Sequence, residues 1–337
     1  MSKLKFAIAG LGRIGKIHLQ NLSRNFPEIE VVAAMDVVDE SQTIAESFGV
    51  PNFVKSYREL LAIPGIDVVV ICSPTDTHFE YVIQAAQAGK HIFCEKPLDL
   101  SLERVKQVLA VVKECKVKLM LGFNRRFDPE FQRIRRSVAE GLVGDTQLIK
   151  ITSRDPGPPP ISYIKVSGGM FLDMTIHDFD MARFIAGKQV KEVFAKAAVL
   201  VDNEIGKAGD IDSAVVTLTF DDNSMAVIDN SRKAVYGYDQ RLEVLGSKGM
   251  VQADNNFYDN HKLYTEKGVS SALPLNFFLE RYQASYNCEM RHFIDALLSA
   301  GDIPVDGNDG LQSMAIALAA MKSVRESRPV LITEILD

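Results

Sequence analysis

The chain has 337 residues, of which 47% are hydrophobic and 24% charged, and its formal net charge is −6. This length favours two domains, and the acidic balance excludes an extensive nucleic-acid surface. No apolar run reaches the roughly 18 residues that cross a bilayer. The four cysteines have no C-x-x-C spacing, which favours reduced thiols and a cytoplasmic location over disulfides or a zinc site.

Short apolar runs alternate with helical periodicity in the first third of the chain. Strands are predicted at 5–9, 29–35, 67–72, 91–94 and 118–121, and helices at 13–24, 40–48, 77–88 and 101–115. This alternation is typical of β-α-β units, in which helices cover both faces of a parallel sheet. We therefore predict an α/β domain with a doubly wound parallel sheet over residues 1–122.

The pattern changes after residue 122. Strands are predicted at 147–153, 192–201, 213–220, 225–231, 240–245 and 250–253, and helices at 128–140, 171–186, 277–299 and 309–324. Strands that follow one another without intervening helices indicate an antiparallel sheet. We therefore predict that residues 123–337 form an α+β domain with a mainly antiparallel open sheet.

A glycine-rich turn with the spacing G-x-G-x-x-G joins the first predicted strand to the first helix. Its residues are Gly10, Leu11, Gly12, Arg13, Ile14 and Gly15. The glycines permit a tight turn and a close approach to a pyrophosphate, which the helix N-terminus also attracts. The spacing alone would also fit a flexible turn, but Asp36 follows the second strand, where a carboxylate binds the ribose hydroxyls and repels the 2′-phosphate of NADP. The sequence therefore predicts NAD as the cofactor.

Other candidate cofactor residues follow the third and fourth strands. They are Ser73, Thr75, His78, Glu95 and Lys96. The carboxyl ends of parallel strands form the edge at which such sheets bind ligands. Thr75 could instead cap a helix, and Lys96 could be a solvated surface charge. Beside a nicotinamide ring, however, a lysine is suited to proton transfer.

Asp173, His177 and Asp180 are spaced i, i+4 and i+7 on the helix predicted at 171–186. They form a narrow polar stripe between apolar flanks, which predicts an edge that faces a cavity. A neutral histidine can accept a hydroxyl proton while hydride leaves the same carbon, and a carboxylate can orient the neighbouring hydroxyl. A structural Asp–His pair is the alternative. We expect no metal, because no third ligand has a suitable spacing.

Taken together, these motifs resemble the Gfo/Idh/MocA oxidoreductases over essentially the whole chain. The resemblance is carried by the glycine turn, Asp36, Ser73-Pro74-Thr75 with His78, Glu95-Lys96-Pro97, and Asp173 with His177. It implies a Rossmann first domain and catalytic roles for Lys96, Asp173 and His177. It also implies a cis peptide between Lys96 and Pro97 and a homotetramer that pairs through the antiparallel sheet.

Within that family, residues 152–183 are similar to the inositol 2-dehydrogenase subgroup. This similarity implies a cyclic polyol substrate, myo-inositol, that is oxidised at its 2-hydroxyl. The implied substrate-binding residues are Lys96, Asn124, Arg125, Asp155, Asp173, His177 and Tyr236, with Tyr282 and the choice between Arg125 and Arg126 left open. Another inositol isomer, a pyranose sugar, or a non-catalytic sensor of NAD and sugar are the alternatives.

Overall fold

The computed structural model describes residues 3–337 and divides into two compact units. The first unit comprises the chain up to Phe127 together with Ala284–Gln312, and the second comprises Asp128–Gln283 with Ser313–Asp337. The sequence placed a boundary at 122/123 and gave the whole tail to the second domain. The structure instead returns a tail segment to the first unit.

Hydrogen bonds to backbone carbonyls show why this tail segment belongs to the first unit. The Leu121 amide donates to the Val305 carbonyl over 3.0 Å. The Lys118 ammonium donates to the carbonyls of Ala296 and Gly301 over 2.7 and 2.6 Å. These bonds join positions far apart in sequence, so local periodicity could not predict them.

The first unit contains a six-stranded, wholly parallel sheet in the order β3-β2-β1-β4-β5-β6. Its strands are β1 (Leu4–Ala9), β2 (Ile29–Met35), β3 (Asn52–Val54), β4 (Val68–Ile71), β5 (His91–Glu95) and β6 (Leu119–Gly122). Its helices are α1 (Arg13–Asn25), α2 (Glu40–Ser47), α3 (Tyr57–Ala62), α4 (Thr75–Gln87) and α5 (Leu102–Cys115), and a 3₁₀ turn follows at Asn124–Phe127. The predicted doubly wound sheet is confirmed, and its order reverses between β1 and β4.

The second unit is built on a seven-stranded sheet in the order β12-β11-β7-β10-β9-β8-β15. Its elements up to residue 220 are α6 (Pro129–Ala139), β7 (Thr146–Arg154), α7 (Ile161–Ile164), α8 (Gly169–Asp173), α9 (Ile176–Ala186), β8 (Val190–Ala198), α10 (Asn203–Lys207) and β9 (Ser213–Phe220). Then come β10 (Met225–Ser231), β11 (Asp239–Gly246), β12 (Gly249–Ala253), β13 (Lys262–Thr265), β14 (Gly268–Ser271) and α11 (Phe278–Arg281).

The chain ends with α12 (Gln283–Leu298), α13 (Gly307–Glu326), β15 (Val330–Leu331) and α14 (Thr333–Leu336). All neighbours in the seven-stranded sheet are antiparallel except β7 and β10, so the predicted mainly antiparallel sheet is confirmed. Strands β13 and β14 form a separate hairpin. Within residues 3–337, no helix is long and apolar enough to span a membrane.

The helix predicted as one piece at 171–186 is two helices in the structure. Helix α8 ends at Asp173 and α9 begins at Ile176. Between them the Thr175 amide donates to the Met170 carbonyl five residues back, which widens the turn. The Thr175 hydroxyl also donates to Asn230 over 2.8 Å. This tertiary bond holds the break, so the assumption of a continuous helix was wrong.

Candidate active site

The glycine turn lies between β1 and α1, at the edge where the parallel order reverses. Gly10 has φ +92°, and a Cβ there would lie 2.6–2.8 Å from backbone atoms of Cys72 and Ser73. A Cβ at Gly15 would lie 1.9 Å from the Gly10 carbonyl oxygen. At Gly12 a Cβ would meet no described atom within 4 Å, so the backbone faces open space. The turn therefore packs tightly beneath and leaves room for a ligand above.

Asp36 follows β2 and supports the same turn. One carboxylate oxygen accepts a hydrogen bond from the Leu11 amide over 2.6 Å, and the other accepts from the Val38 amide over 2.9 Å. A carboxylate has about four acceptor positions, so ribose hydroxyls can still bind. At the start of α1 the N-cap is Gly12, and no described side chain caps the first turn. These residues fit the pyrophosphate and ribose of a dinucleotide.

His78 connects two loops at this edge. Its Nδ1 lies 2.8 Å from the Pro97 carbonyl oxygen and its Nε2 lies 2.9 Å from the Ser73 carbonyl oxygen. Burial lowers the pKa of His78, more than these two carbonyls raise it. The side chain thus holds the loop after β4 against the loop after β5. Thr75 is the first residue of α4, and Ser73 shares a 2.5 Å hydrogen bond with Thr77.

Lys96 directly follows β5 and is partly exposed. Its peptide bond to Pro97 is cis, which confirms that expectation. The preceding Glu95 carboxylate lies 2.8 Å from Nε2 of the buried His18. Lys96 therefore lies at the same carboxyl edge of the sheet as the glycine turn and Asp36.

Asn124 and Arg125 occupy the 3₁₀ turn after β6, and both are buried. The Asn124 amide donates to the Ser285 hydroxyl over 3.2 Å. The neighbouring Arg126 forms an ion pair with Asp309, at 2.8 Å between Nη2 and Oδ1. Arg126 thus has a structural partner within the first unit.

In the second unit, two side chains hold Asp173. The Tyr163 hydroxyl donates to Oδ1 over 2.9 Å, and Arg232 donates to Oδ2 over 3.2 Å. Arg232 is only 1% exposed, and its second carboxylate neighbour, Asp210, lies 3.8 Å away. The Asp173 carboxylate is thus fixed in position, with 13% of its side chain still exposed.

His177 lies in the first turn of α9 and, like Asp173, is partly exposed. Asp180 is buried and accepts a 3.4 Å hydrogen bond from Ser313. Asp173 and His177 are thus partly exposed and Asp180 is buried, and the helix on which one polar stripe was predicted is broken between α8 and α9.

Asp155 directly follows β7, and Tyr236 lies in the loop shortly before β11. The Asp155 carbonyl accepts from the Ala234 amide over 2.6 Å. The Tyr236 hydroxyl donates to Asp239 over 2.6 Å and accepts from Arg154 over 3.1 Å. Burial and the Asp239 carboxylate raise the pKa of Tyr236. Tyr236 lines a groove of about 540 Å³ over the sheet, whereas neither Asp173 nor His177 lines it.

Sequence reasoning missed Tyr163, Arg232 and His18. Arg232 is 59 residues from Asp173 and contacts it through the fold, so no local spacing could reveal it. His18 lies in the helix after the glycine turn, and its spacing of four residues from both Ile14 and Leu22 was the available signal.

The parallel sheet, its glycine turn and the acid after β2 define the chain as a dinucleotide-binding oxidoreductase. Residues 4–123 match the model of the oxidoreductase family with an NAD-binding Rossmann fold, and residues 131–252 match the GFO/IDH/MocA C-terminal domain. The chain belongs to the Gfo/Idh/MocA family.

Several curated relatives match the chain over nearly its whole length. A myo-inositol 2-dehydrogenase from Thermotoga maritima is 48% identical, covering 99% of this chain and 100% of the relative. An inositol 2-dehydrogenase from Rhizobium meliloti is 47% identical, with coverage of 98% and 99%. An uncharacterized oxidoreductase from Bacillus subtilis is 49% identical, with coverage of 96% and 95%.

Solved structures agree with this assignment. A myo-inositol dehydrogenase from Corynebacterium glutamicum superposes with a TM-score of 0.94 at 40% identity, covering 98% of each chain. A scyllo-inositol dehydrogenase from Lactobacillus casei, solved with NAD(H) and scyllo-inositol, gives a TM-score of 0.92 at 30% identity, covering 98% of this chain and 100% of that one.

Proposed function

We propose that this protein is a myo-inositol 2-dehydrogenase that oxidises the 2-hydroxyl of the ring to a ketone with NAD. The observation that carries the proposal is the full-length similarity to myo-inositol 2-dehydrogenase at 48% identity, joined to a dinucleotide edge whose glycines and Asp36 are all in place. A bound NAD would accept the hydride that leaves the ring carbon.

The chain's own residues would manage the proton and the orientation of the substrate. His177 would accept the proton of the reacting hydroxyl, since a neutral imidazole is the usual base near neutral pH. Asp173, held by Tyr163 and Arg232, would bind a neighbouring hydroxyl and fix the ring. Lys96 would bind the reacting oxygen and share in proton transfer.

The proposed substrate residues are polar, as a ring with a hydroxyl on every carbon requires. Besides the catalytic residues, they are Asn124, Arg125, Asp155 and Tyr236. Such a set suits no fatty or aromatic alcohol, because polar groups left without partners are costly to bury.

Asp36 supports NAD over NADP. Its carboxylate is negatively charged and held by two amides, so a 2′-phosphate would meet a fixed like charge. The cofactor-binding set further includes Gly10, Gly12, Arg13, Ile14, Gly15, Ser73, Thr75, His78, Glu95 and Lys96.

A homotetramer is part of this proposal. Helix α9 packs on β7, while the sheet also carries exposed apolar side chains that alternate with buried ones. These exposed side chains are Val215 (52%), Met225 (50%), Leu245 (42%) and Met250 (50%). A second copy of the chain is the occupant that we propose for this surface, and the mass of the purified protein tests it. We also expect a cytoplasmic enzyme, because all four cysteines are free thiols.

NADH absorbance tests the proposal directly. The purified protein with NAD and myo-inositol should produce NADH, and Lys96→Ala should lower kcat by about 10²–10⁴-fold. Calorimetric binding of NAD and myo-inositol without turnover would contradict the proposal and favour the non-catalytic sensor.

Among enzymes, scyllo-inositol is the specific rival substrate. A scyllo-inositol 2-dehydrogenase (NAD(+)) from Bacillus subtilis is 34% identical to this chain. We favour myo-inositol because the myo-inositol 2-dehydrogenase of Thermotoga maritima is more similar to this chain, at 48% identity.

A further inference from the structure

Three ionisable side chains of the first unit lie close together, and one of them, Glu95, directly precedes Lys96. His18 comes from α1, Glu95 from the end of β5 and Glu289 from α12. One ring nitrogen and two carboxylate oxygens lie within 4.8 Å of one another. The side chains of His18 and Glu289 are fully buried, and that of Glu95 is 12% exposed.

The central contact joins His18 to Glu95. Nε2 of His18 lies 2.8 Å from Oε1 of Glu95 and so donates to the carboxylate. The imidazole is held edge-on between Phe93 and Tyr286, with ring centroids 5.1 and 5.8 Å away. Packing against these two rings therefore orients the His18 donor toward the Glu95 carboxylate.

Gly122 provides the space for that carboxylate. It pairs with Glu95 across β5 and β6. A Cβ at this position would lie 2.8–3.0 Å from three atoms of the Glu95 carboxyl group. Since such distances are shorter than van der Waals contact, the side chain of Glu95, and not the backbone angle, explains the glycine.

Glu289 completes the cluster as a second acid. Its Oε1 lies 3.9 Å from Nε2 of His18, and neither of its oxygens has a hydrogen-bond partner among the described residues. Burial and the negative charge of Glu95 raise its pKa well above the usual range. Because Oε1 of Glu289 is 3.9 Å from Nε2 of His18, the hydrogen bond of His18 goes to Glu95.

The chain on the other side of Lys96 is held as well. The Pro97 carbonyl accepts from His78, which is also buried. Lys96 thus lies between two anchored neighbours, Glu95 before it and Pro97 after it.

We propose that His18, Gly122 and Glu289 form a buried anchor that fixes Glu95 and thereby positions Lys96. His18 is then a positioning residue, because it acts on the reaction through Glu95 and Lys96. The inference rests on the catalytic role proposed above for Lys96.

The test replaces His18 and measures kcat and KM for NAD separately. His18→Leu removes the donor, and kcat should fall by about 10–10²-fold because a misplacement near 1 Å has that effect. KM for NAD should change by a smaller factor than kcat, since the glycine turn and Asp36 are intact and only Glu95 and Lys96 of the proposed cofactor-binding set are displaced. His18→Gln restores an N–H donor and should recover most of kcat. His292→Leu and His292→Gln are the matched controls, since His292 is exposed and has no contact with Glu95 among the described residues.

Gly122→Ala is the second test, and it serves if His18→Leu does not fold. Its Cβ should displace the Glu95 carboxylate and lower kcat by about tenfold, again with a smaller change in KM for NAD. Normal kcat in both His18→Leu and Gly122→Ala, with Lys96→Ala inactive, would overturn the anchor proposal and leave the catalytic role of Lys96 standing. Normal kcat in Lys96→Ala would instead overturn the catalytic assignment on which it rests. Stoichiometric zinc or manganese that survives dialysis against a chelator and is lost in Glu289→Gln would also overturn the anchor, because the cluster would then be a metal site.

Discussion

The variant Asp173→Ala, which removes the carboxylate, should destabilise the protein as well as inactivate it. Arg232 is 1% exposed and would keep only Asp210, 3.8 Å away, as a carboxylate neighbour. Leaving a buried charge without its partner costs about 3–5 kcal/mol, and the remaining Asp210 favours the lower end. For a unit of this size, about 3 kcal/mol corresponds to a fall in Tm of about 6–12 °C.

Asp173→Asn separates stability from catalysis. The asparagine amide keeps an oxygen that can accept a hydrogen bond from Arg232, but it carries no charge. The free energy of unfolding should therefore fall by only about 1–2 kcal/mol. Its kcat should still fall by about 10²-fold, because the amide no longer orients the substrate hydroxyl as a carboxylate does. Thermal unfolding by calorimetry and initial rates on the same preparations measure both effects.

Asp222→Ala is the matched control for this pair of variants. Asp222 also forms an ion pair, with Lys188, but its side chain is 48% exposed, so its loss should cost at most about 1 kcal/mol. An unchanged Tm in Asp173→Ala would refute the reasoning, since Arg232 would then not depend on Asp173. A normal kcat in Asp173→Asn would remove the carboxylate charge from the mechanism.

Three further predictions follow from the same structure. Asp36→Ala combined with Val37→Arg should raise the ratio of kcat/KM for NADP to kcat/KM for NAD by about 10–10²-fold. The change removes the repulsion between Asp36 and the 2′-phosphate and provides an arginine that can form a charge-assisted hydrogen bond with it. A parent enzyme that already uses both cofactors equally would contradict this. His177→Ala should lower kcat by about 10²–10⁴-fold with unchanged NAD affinity, because the glycine turn lies in the other unit; near-normal kcat would exclude His177 as the base. Burial raises the folded pKa of Glu289 above the 4.5 expected for an unfolded chain, so the cost of ionising this buried side chain is absent below that pH. Stability then falls as pH rises from 4.5 toward the raised pKa. Glu289→Gln should remove this part of the pH dependence in denaturant titrations, and an identical slope in both proteins would argue against a protonated Glu289.

The sequence predicted those elements whose pattern is local. The parallel strands read as apolar runs because they are buried on both faces, as in Val68–Ile71, where all four residues are buried. Strand β3 was missed because it has only three residues, none of them buried. Helix α3 was also missed, although Ser56 and Glu59 form a capping box that its sequence displays.

The parts that could not be predicted depend on contacts between distant residues. The return of Ala284–Gln312 to the first unit rests on bonds to Leu121 and Lys118. The break between α8 and α9 rests on the bond from Thr175 to Asn230. The supports of Asp173 and Glu95 likewise come from distant positions, so the sequence revealed the candidate catalytic groups but not what holds them.

The substrate assay tests the central claim most directly. It measures kcat/KM with NAD for myo-inositol, scyllo-inositol, chiro-inositol, glucose and cyclohexanol. We predict that myo-inositol gives the highest value, and that cyclohexanol, which lacks the hydroxyls that the polar residues require, is slower by a factor of up to about 10⁴. A clearly higher value for glucose or another inositol would contradict the proposed substrate, and a cyclohexanol rate close to that of the polyols would contradict the polar site itself.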